Sequence, residues 1–523
     1  MLSSPAPVTC RAVNLASVIE THPGDAPALI SRGKVTTYGE LRRQVGELRY
    51  GLKSLGVEPG DRVAIMAANN WFFVVAYLGI LGSGGVAVPL NPGSPTAELS
   101  HQLGEIGAKV AIIGPSSRLS VEGIDRTELG LEHLVATETA HLAGAVTLET
   151  LFTGAQSPIV ERGPEDLAVL MFTSGTGGSP KAAMLTHGNL LANLDQIQRH
   201  PGRRVVPEDV SLGVLPLHHI FGLNVVLGLS LLAGASVVLI ERFDPSSALE
   251  TIAAHKVSVV AGAPPMYGAW LSLPTADAEC LRGVRLAVSG AAPLGADAAS
   301  AFGRNFGVDI YEGYGLTEAS PTVTSSVVGG RCKPGSIGVP LAGVEVRLVD
   351  ESADDVFAGD AGEIWVRGPN VFAGYWEQPE ATAAALSPDG WLRTGDVAVV
   401  DDEGWLFIVD RAKDVIIVSG FNVFPAEVEQ ALASHPGIAE VAVIGVAHPH
   451  TGEAVKAFVV PSGTEHFEED ELIEFCASRL ARYKCPSKVM FVDELPHGRS
   501  GKLLRRELRE GSAGPGEVPL SAR

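Results

Sequence analysis

The segment Thr173-Ser-Gly-Thr-Gly-Gly-Ser-Pro-Lys181 contains the residue types that bind a polyphosphate. Gly, Ser and Thr dominate it, so a loop here can direct backbone N–H groups and hydroxyls towards phosphate oxygens, and Lys181 adds a positive charge. It is not a Walker A loop, because Pro180 stands where that pattern needs Gly, and it contains no G-x-G-x-x-G fingerprint. The segment therefore indicates phosphate chemistry, with a flexible linker as the alternative interpretation.

A buried strand and a capped helix are predicted around this loop. Residues 167–172, Leu-Ala-Val-Leu-Met-Phe, form an apolar run typical of a buried strand. Thr186 is a favourable N-cap for a helix that continues to about Arg199. We therefore expect the loop to be held by regular elements of a larger fold.

The pattern of the whole chain predicts an α/β fold with two domains. Strand and helix patterns alternate over residues 13–165 and again over 210–261, which indicates βαβ units and parallel sheets. Short strands divided by Gly and Asp turns over 335–410 predict a small β-barrel-like part. A small α+β domain follows. We place the N-terminal domain at 1–410 and the C-terminal domain at 411–523.

Composition indicates a large folded protein of a reducing compartment. The chain has 523 residues, 46% of them apolar, which is enough for a large core. Its net charge of -21 argues against nucleic acid as a partner, because that partner needs a basic surface. The five cysteines are scattered without C-x-x-C spacing, and the first residues lack the form of a signal peptide. We expect a cytoplasmic location, with peripheral membrane contact left open.

Two long uncharged stretches resemble membrane spans at first sight. Residues 63–90 and 211–240 contain no Asp, Glu, Lys or Arg, and each is long enough to cross a bilayer. Asn69 and Asn70 interrupt the first stretch, and Pro216, His218 and His219 interrupt the second. Both therefore favour strands and helices buried within a parallel sheet, and we expect no integral membrane segment.

Six motifs follow one another in an order that resembles the acyl-adenylate-forming superfamily. Besides the loop, they are Leu-Pro-Leu-His-His-Ile-Phe-Gly-Leu at 215–223, Val-Ser-Gly-Ala-Ala-Pro-Leu at 288–294, Glu-Gly-Tyr-Gly-Leu-Thr-Glu at 312–318, Gly-Trp-Leu-Arg-Thr-Gly-Asp at 390–396, Val-Asp-Arg-Ala-Lys-Asp at 409–414 and Ser-Gly-Lys-Leu-Leu-Arg at 500–505. This superfamily includes acyl-CoA synthetases, peptide-synthetase adenylation domains and beetle luciferases. The resemblance covers about residues 37–508 and is strongest to bacterial fatty-acid–CoA ligases and 4-coumarate–CoA ligases.

The resemblance implies a reaction in two halves. A carboxylate attacks the α-phosphorus of ATP to give acyl-AMP and pyrophosphate, and the thiol of CoA then attacks the acyl carbon and expels AMP. Two anions must meet in the first half, so cations and N–H donors have to offset their repulsion. A rotation of the mobile small domain exchanges the catalytic faces between the halves. The implied cofactors are ATP, Mg²⁺ and CoA.

The resemblance also assigns roles at the nucleotide. The residues implied for ATP and AMP are Thr173, Ser174, Gly175, Thr176, Gly177, Lys181, Gly290, Ala291, Ala292, Glu312, Gly313, Tyr314, Gly315, Thr317, Asp396 and Arg411. Glu318 would ligate Mg²⁺, which prefers oxygen ligands, and Tyr314 would stack on the adenine. Gly177 and Ala182 depart from the family pattern, which usually has Thr and Gly there.

Three further sets of residues carry the catalytic and acceptor steps in this family. Lys502, His219 and Thr317 would be catalytic, with Lys502 neutralising charge between the carboxylate and the α-phosphate. Lys413 matches the hinge. Ser419, Gly420 and Phe421 would lie on the CoA side.

The acyl pocket is implied at His219, Phe221, Val225, Gly313, Pro321 and Thr322. The small Gly313 predicts a deep apolar tunnel, which suits a fatty chain better than an amino acid. The pair His218-His219 lacks further ligands at metal-site spacing, and Leu223 stands where an H-H-x-x-x-D-G acyltransferase needs Asp. No G-x-S-x-G elbow of a serine hydrolase occurs.

We therefore predict an AMP-forming acid–thiol ligase that acts on a medium- or long-chain fatty acid, ATP and CoA. One alternative is an acyl-AMP ligase that loads the phosphopantetheine of a separate acyl carrier protein. Another is an aryl or 4-coumarate-type CoA ligase. A binding protein of the same fold without catalysis is the alternative from a different class, and the retention of Lys181, Glu318, Asp396, Arg411 and Lys502 argues against it.

Overall fold

The structure of the protein is a computed structural model, and its elements confirm the predicted α/β class. It describes residues 14–173, 180–202, 204–274, 276, 278–328, 333–350, 352–411, 414, 416–418, 421–448, 452–463, 468–480, 482–497 and 503–511. The helices are α1 (Tyr38–Ser54), α2 (Trp71–Gly82), α3 (Thr96–Ile106), α4 (Arg118–Glu122), α5 (His187–Arg199), α6 (Leu229–Ala233), α7 (Pro245–His255), α8 (Pro264–Leu271), α9 (Ala296–Phe306), α10 (Pro379–Ala385), α11 (Pro425–Ala433), α12 (Glu469–Ala477) and α13 (Arg505–Gly511).

The strands are β1 (Pro27–Ser31), β2 (Lys34–Thr37), β3 (Arg62–Met66), β4 (Val86–Leu90), β5 (Val110–Ile113), β6 (His133–Ala136), β7 (Val146–Thr147), β8 (Leu167–Thr173), β9 (Lys181–Thr186), β10 (Val210–Gly213), β11 (Ser236–Leu239), β12 (Val259–Gly262), β13 (Leu286–Ser289), β14 (Ile310–Gly315), β15 (Thr322–Ser325), β16 (Val339–Pro340), β17 (Glu345–Val349), β18 (Gly362–Arg367), β19 (Leu392–Val400), β20 (Leu406–Arg411), β21 (Ile416–Val418), β22 (Phe421–Val423), β23 (Ile438–His448), β24 (Gly452–Pro461) and β25 (Lys488–Phe491).

Two large sheets are built mainly from parallel strands. One has the order β7-β6-β5-β3-β4-β8-β9, and the other has the order β16-β15-β14-β13-β12-β10-β11-β1-β2. Helices connect most of their parallel strands, as βαβ units require. The strands are buried on both faces: Val110–Ile113, for example, is buried at every residue. The first uncharged stretch forms strands β3 and β4 of the first sheet and the helix α2 between them. The second forms strands β10 and β11 of the second sheet and includes the helix α6 between them.

Within the described residues, no helix has both the length and the apolar character that crossing a bilayer demands. Helix α2 contains twelve residues and is buried along almost its whole length. Asn70, which interrupts the first uncharged stretch, is its N-cap and accepts the N–H of Phe73 at 3.3 Å. The apolar residues of this stretch therefore face the protein interior.

The division of the chain into compact units is more complex than one cut. Residues 1–346 and 366–393 form one unit, and residues 347–365 and 394–523 form the other. The strands of the sheet β17-β18-β19-β20 are divided between the two units, since β17, β18 and β19 each cross a boundary. The second unit also contains the sheet β22-β21-β24-β23, with β25 parallel to β24. The 410/411 boundary stays a prediction.

The structure contains a strand, β9, directly after the predicted phosphate loop, which the sequence did not indicate. Lys181–Thr186 forms β9, which pairs antiparallel with β8, so the loop connects two strands instead of leading directly to the helix. Thr173 and Lys181 face each other across this pair, while residues 174–179 lie outside the described residues. The predicted helix follows β9, and Thr186 caps it by accepting the N–H of Asn189 at 3.0 Å.

A buried histidine joins the start of this helix to the beginning of the described chain. His187 is fully buried, and its Nδ1 accepts the backbone N–H of Leu15 at 3.0 Å. Burial lowers the pKa of His187 to about 4, the positive charge of Arg162 adds to this, and Asp166 opposes it. The neutral imidazole is therefore the form that the fold accommodates.

This histidine is expected to make the protein less stable in mild acid. Its pKa is lower in the folded chain than the ordinary 6.5, so the unfolded chain binds the proton first as the pH falls. Its stabilising contribution is complete above 6.5 and is lost towards 4, with a loss of about 2 kcal/mol by about pH 5. In His187→Gln, the free energy of unfolding in urea should therefore fall less between pH 7 and 5 than in the wild type. Equal falls in the two proteins would contradict this assignment.

Candidate active site

A cavity over the nine-stranded sheet brings together most of the residues predicted for the two substrates. Its empty space, counted out to the open mouth, is about 1150 Å³. The residues predicted for the acyl pocket all line it: His219, Phe221, Val225, Gly313, Pro321 and Thr322. Gly313 is also predicted for the nucleotide, and five further residues of that set line the cavity: Gly290, Ala291, Tyr314, Gly315 and Thr317. Ala292 and Glu312, their neighbours in sequence, are not part of this lining.

Parallel strands form the floor of the cavity. Ser211, Val259 and Leu286 are aligned across β10, β12 and β13, and each lines the cavity. Two residues further along β12 and β13, Ala261 and Val288 are aligned in the same way. The predicted nucleotide residues follow at the carboxyl ends of β13 and β14, which is where open α/β sheets bind their ligands. The cavity therefore extends along the strands, away from the end that carries these residues.

A buried asparagine positions the His218-His219 segment. The side-chain amide of Asn69, after β3, donates to the carbonyls of Gly213 and Leu215 at 3.2 and 2.7 Å, and its oxygen accepts the N–H of Leu217 at 2.9 Å. Both the donor and the acceptor group of this amide are thus bonded to the chain that leads to the histidines. Asn69 was regarded in the sequence only as an interruption of an apolar stretch.

The two histidines of this segment differ in their surroundings. His219 is exposed and lines the cavity, and its Nδ1 accepts the N–H of Phe221 at 3.4 Å. Desolvation lowers the pKa of His218 to about 4, and the neighbouring His219 adds to the effect. His218 is therefore neutral near neutral pH, while His219 is the one that can meet a substrate.

Three buried asparagines fix the loop between β14 and β15. Asn193 of α5 accepts the N–H of Thr322 at 3.1 Å and donates to its carbonyl at 2.7 Å. Asn224 donates to the carbonyl of Ser320 at 2.7 Å, and Asn370 to that of Ala319 at 2.9 Å. A buried polar group without such a partner costs about 1–3 kcal/mol, so these bonds hold the loop in one conformation. The loop contains Thr317 and Glu318.

Glycine is required where this loop folds back on its strand. The N–H of Leu316 donates to the carbonyl of Pro321 at 3.0 Å. A Cβ added at Gly315 would lie only 2.0 Å from that same carbonyl oxygen. A side chain at this position would therefore force Thr317 and Glu318 to move.

Glu318 and Lys181 are connected through a tyrosine that the sequence did not single out. The hydroxyl of Tyr375 donates to Oε1 of Glu318 at 2.7 Å, and Nζ of Lys181 lies 5.1 Å from the centroid of its ring. Burial and then the adjacent carboxylate raise the pKa of Tyr375, so it remains a hydrogen-bond donor. The predicted metal-binding carboxylate and the predicted phosphate-binding lysine thus have a common neighbour.

Backbone pairing places this tyrosine beside β9. The N–H of Met184 donates to the carbonyl of Gly374 at 2.9 Å, and the N–H of Trp376 donates to the carbonyl of Ala182 at 2.8 Å. The N–H of Tyr375 itself donates to the hydroxyl of Thr382 at 2.9 Å. The sequence signal that could have found Tyr375 is weak, because no spacing rule connects it to a loop almost 200 positions earlier.

Glu312, predicted for the nucleotide, is bonded to its own fold. Its carboxylate accepts the N–H of Leu294 at 3.1 Å, and its N–H donates to the hydroxyl of Ser326 at 2.7 Å. Burial raises the pKa of Glu312, and the backbone N–H donors of Leu294 and Gly335 oppose the rise. This side chain thereby joins β14 to the chain that follows Gly290 and Ala291.

Comparisons with known proteins agree with this geometry. The family described as "AMP-binding enzyme" matches residues 15–376, and its C-terminal domain matches residues 427–502. The chain belongs to this family of AMP-binding enzymes. The predicted superfamily is confirmed, as is the class of AMP-forming acid–thiol ligase.

Relatives of this AMP-binding enzyme span nearly its whole length. A long-chain-fatty-acid–CoA ligase of Escherichia coli O157:H7 is 37% identical over 94% of this chain and 92% of its own. A feruloyl-CoA synthase of an Amycolatopsis species is 40% identical over 92% of this chain and 95% of its own. The ATP-bound crystal structure of MatB from Rhodopseudomonas palustris matches with a TM-score of 0.88 and 34% identity, covering 95% of this chain and 98% of that one.

Two of the remaining predicted residues pair within the second unit of this AMP-binding enzyme. Asp396 and Arg411 are directly paired across β19 and β20, and the N–H of Asp396 donates to the hydroxyl of Thr394 at 3.1 Å. Phe421 begins β22. The other predicted residues, which are Ser174, Gly175, Thr176, Gly177, Lys413, Ser419, Gly420 and Lys502, lie outside the described residues. The roles of all the site residues stay predictions.

Removal of the Tyr375 hydroxyl is expected to weaken the use of magnesium. Tyr375→Phe leaves the ring beside Lys181 but frees the Glu318 carboxylate from its partner, and loss of such an outer contact typically costs about tenfold or more in metal affinity or activity. The Mg²⁺ concentration for half-maximal AMP release should rise about tenfold.

The matched control is Tyr38→Phe, which removes another buried tyrosine hydroxyl bond, the one to the carbonyl of Ala235 at 2.8 Å. It should leave the Mg²⁺ dependence as in the wild type. If both variants shift the dependence equally, or if neither does, Tyr375 has no specific role in positioning Glu318.

Proposed function

We propose that this enzyme activates a fatty acid of medium or long chain with ATP and Mg²⁺ and transfers the acyl group to CoA. The observation that carries the proposal is the single cavity lined by both predicted sets of residues, acyl and nucleotide. The carboxylate attacks the α-phosphorus, so the two substrates must be held side by side, as this arrangement allows. Pyrophosphate leaves in the first half of the reaction and AMP in the second.

The nucleotide side offers the groups that this chemistry needs. Lys181 places a positive charge next to the Tyr375–Glu318 pair, and the carboxylate of Glu318 is a suitable ligand for a hard cation. Mg²⁺ bound there would neutralise phosphate charge while the carboxylate approaches. The side chains around Glu318 thus fit the ion, with Tyr375 fixing one of the two carboxylate oxygens.

The walls of the cavity support an extended apolar acid. Along β13, the floor from Ser289 to Leu286 is about 10 Å long at the usual rise per strand residue. The cavity is lined by apolar side chains along this length, which are Val226, Leu229, Val259, Ala261 and Val288. Burial of methylene groups against such walls supplies about 0.8 kcal/mol each, so affinity should increase with chain length until the cavity is filled.

An aryl acid of the cinnamate type is the second candidate. The feruloyl-CoA synthase of Amycolatopsis is a relative at 40% identity, and polar side chains line the cavity together with the apolar ones. The phosphopantetheine of an acyl carrier protein is the alternative acceptor to CoA. In both cases we propose that Lys413 is the hinge of a rotation that brings Ser419, Gly420 and Phe421 to the acyl carbon.

The test uses purified protein, ATP, Mg²⁺ and a panel of carboxylic acids, with AMP release measured with and without CoA. Release that depends on CoA and is greatest for one fatty-acid length supports the proposal. A maximum on cinnamic acids supports the second candidate. Acyl-AMP that accumulates and does not respond to CoA indicates a carrier-protein loader, and no AMP release with any acid contradicts all three.

Lys502 is expected to be needed for the first half of the reaction only. Lys502→Ala removes a cation that stabilises the transition state, so ATP–pyrophosphate exchange should fall about 10²- to 10³-fold. Thioester formation from supplied acyl-AMP should change much less. Lys488→Ala, at an exposed lysine of the same unit, is the matched control and should exchange like the wild type. Unchanged exchange in Lys502→Ala would refute the assignment.

The size of residue 313 is expected to set the length of acid that fits. A Cβ added at Gly313 finds its nearest heavy atom, the carbonyl oxygen of Thr324, at 3.4 Å, so the backbone tolerates Ala there. Leu at this position would project into the cavity that Gly313 lines. The acid preferred in AMP release should become shorter in Gly313→Leu and change less in Gly313→Ala. The same preferred length in all three proteins would place the acyl chain elsewhere.

A further inference from the structure

The floor of the cavity reaches the amino ends of the parallel strands. Ser211, Val259 and Leu286 are aligned across β10, β12 and β13, and each is the first residue of its strand that lines the cavity. All three are buried. The predicted nucleotide residues begin at Gly290, beyond the opposite end of β13. The chain that lies at the amino ends therefore decides how deep the cavity is.

The wall at this end, here called the end wall, consists of Arg204, Val205 and Val206. The first two residues line the cavity. The carbonyl of Arg204 accepts a hydrogen bond of 2.6 Å from the guanidinium of Arg285, which directly precedes β13. The N–H of Val206 donates at 2.8 Å to the carboxylate of Asp209, which directly precedes β10. Anchors at the starts of two parallel strands thus hold the end wall in place.

The two anchors of the end wall are bonded to each other. Two nitrogens of Arg285 donate to the two carboxylate oxygens of Asp209, with Nε at 2.8 Å. The hydroxyl of Ser258 donates to the same carboxylate at 2.7 Å and accepts the N–H of Val210 at 3.1 Å. Burial raises the pKa of Asp209, but the bonds from Arg285, Ser258 and the N–H of Val206 outweigh it and hold the pKa below its ordinary value. A charged pair with two parallel hydrogen bonds has a defined geometry, so its position fixes the end wall.

Val205 is the residue of the end wall that faces inwards. It lines the cavity and is only 7% exposed, whereas Val206 is 38% exposed and is not part of the lining. Arg204 is exposed to solvent. The carbonyl of Val205 accepts the side-chain amide of Gln198 at 3.1 Å, which restrains its backbone further. The apolar side chain of Val205 is thus held at the closed end.

The distance between the two ends of the cavity limits the length of the acid. From Gly290 to Leu286 the strand covers four residue steps, or about 13 Å at about 3.3 Å per residue. An extended alkyl chain advances about 1.3 Å per carbon, because bonds of about 1.5 Å meet at about 111°. About ten carbons therefore fit between the nucleotide residues and the end wall.

We infer that Val205, held by the Asp209–Arg285 pair, sets the longest acid that this enzyme activates, and that the acid is a medium-chain fatty acid of about eight to ten carbons. The inference rests on the proposed function and narrows its substrate class. A chain of about sixteen carbons would need about 20 Å, which exceeds the distance to the end wall. Such an acid would bind only if the end wall moved.

The first test measures kcat/KM for AMP release with the even-numbered n-alkanoic acids from hexanoic to hexadecanoic acid. The value should rise about fourfold for each added methylene until the end wall is reached, and then fall. A maximum at octanoic or decanoic acid supports the inference. A maximum at hexanoic acid, or at dodecanoic acid or a longer acid, overturns it.

Substitution of Val205 should move this maximum. Val205→Ala removes two methyl groups from the end wall, so the ratio of kcat/KM for dodecanoic over decanoic acid should rise about fourfold as a further methylene is buried. Val205→Phe fills the closed end and should move the maximum to a shorter acid. Val206→Ala is the matched control, because it shortens the neighbouring valine outside the lining, and it should keep the wild-type ratio. Equal ratios in Val205→Ala and Val206→Ala contradict the inference.

The ion pair acts through the end wall, so its test uses the same ratio. Arg285→Lys keeps a positive charge beside Asp209 but loses the planar fork that also reaches the carbonyl of Arg204. A looser wall should raise the ratio for dodecanoic over decanoic acid. Arg367→Lys alters a pair of the same kind, with Glu345, outside the lining and should leave the ratio unchanged. Both acids are measured on one preparation, so a loss of folded protein cancels, and an unchanged ratio in Arg285→Lys overturns the positioning role of the pair.

Failure of the proposed function has a different outcome. If no acid gives AMP release, the proposed function fails, and the thermal shifts that the same acids produce with ATP and Mg²⁺ decide about the end wall. A longer acid giving the largest shift in Val205→Ala than in Val206→Ala supports the end wall without the reaction. The same best acid in both variants, or no shift with any acid, overturns it.

Discussion

The need to satisfy buried backbone groups in an irregular loop governs this active site. The chain between β14 and β15 contains only one 3₁₀ turn, Thr317–Ala319, so most of its carbonyls and N–H groups need partners from elsewhere. Asn193, Asn224 and Asn370 supply them from three separate segments, and each bond restricts the loop further. Thr317 and Glu318 are placed by this restraint. A site that must offset the repulsion between a carboxylate and a triphosphate depends on groups that are already in position before the substrates bind.

The cation and the carboxylate of the nucleotide side belong to one connected arrangement. Lys181 lies on β9, Glu318 lies in the asparagine-held loop, and Tyr375 bonds to Glu318 while its backbone neighbours pair with β9. The predicted phosphate-binding lysine and the predicted metal ligand are therefore both in contact with Tyr375.

The cavity combines apolar walls with a polar end. The polar groups predicted for the reaction lie at the carboxyl ends of the strands, and their hydrogen bonds are largely used to build the fold. The apolar floor contributes affinity without much specificity, because a hydrophobic wall distinguishes neighbouring acids by only about 1–3 kcal/mol.

Local patterns in the sequence determined the elements and the reaction class. Thr186 caps the helix that it was expected to precede, the apolar runs became buried strands, and the ordered motifs were sufficient to identify an AMP-binding enzyme. These features depend on neighbours along the chain or on the order of motifs, which can be observed in one sequence. The tertiary structure alone decided which distant residues meet. Asn69 lies beside the histidine segment and Tyr375 beside Glu318 because sheet pairing and burial join segments far apart in the chain, and no local pattern encodes those encounters.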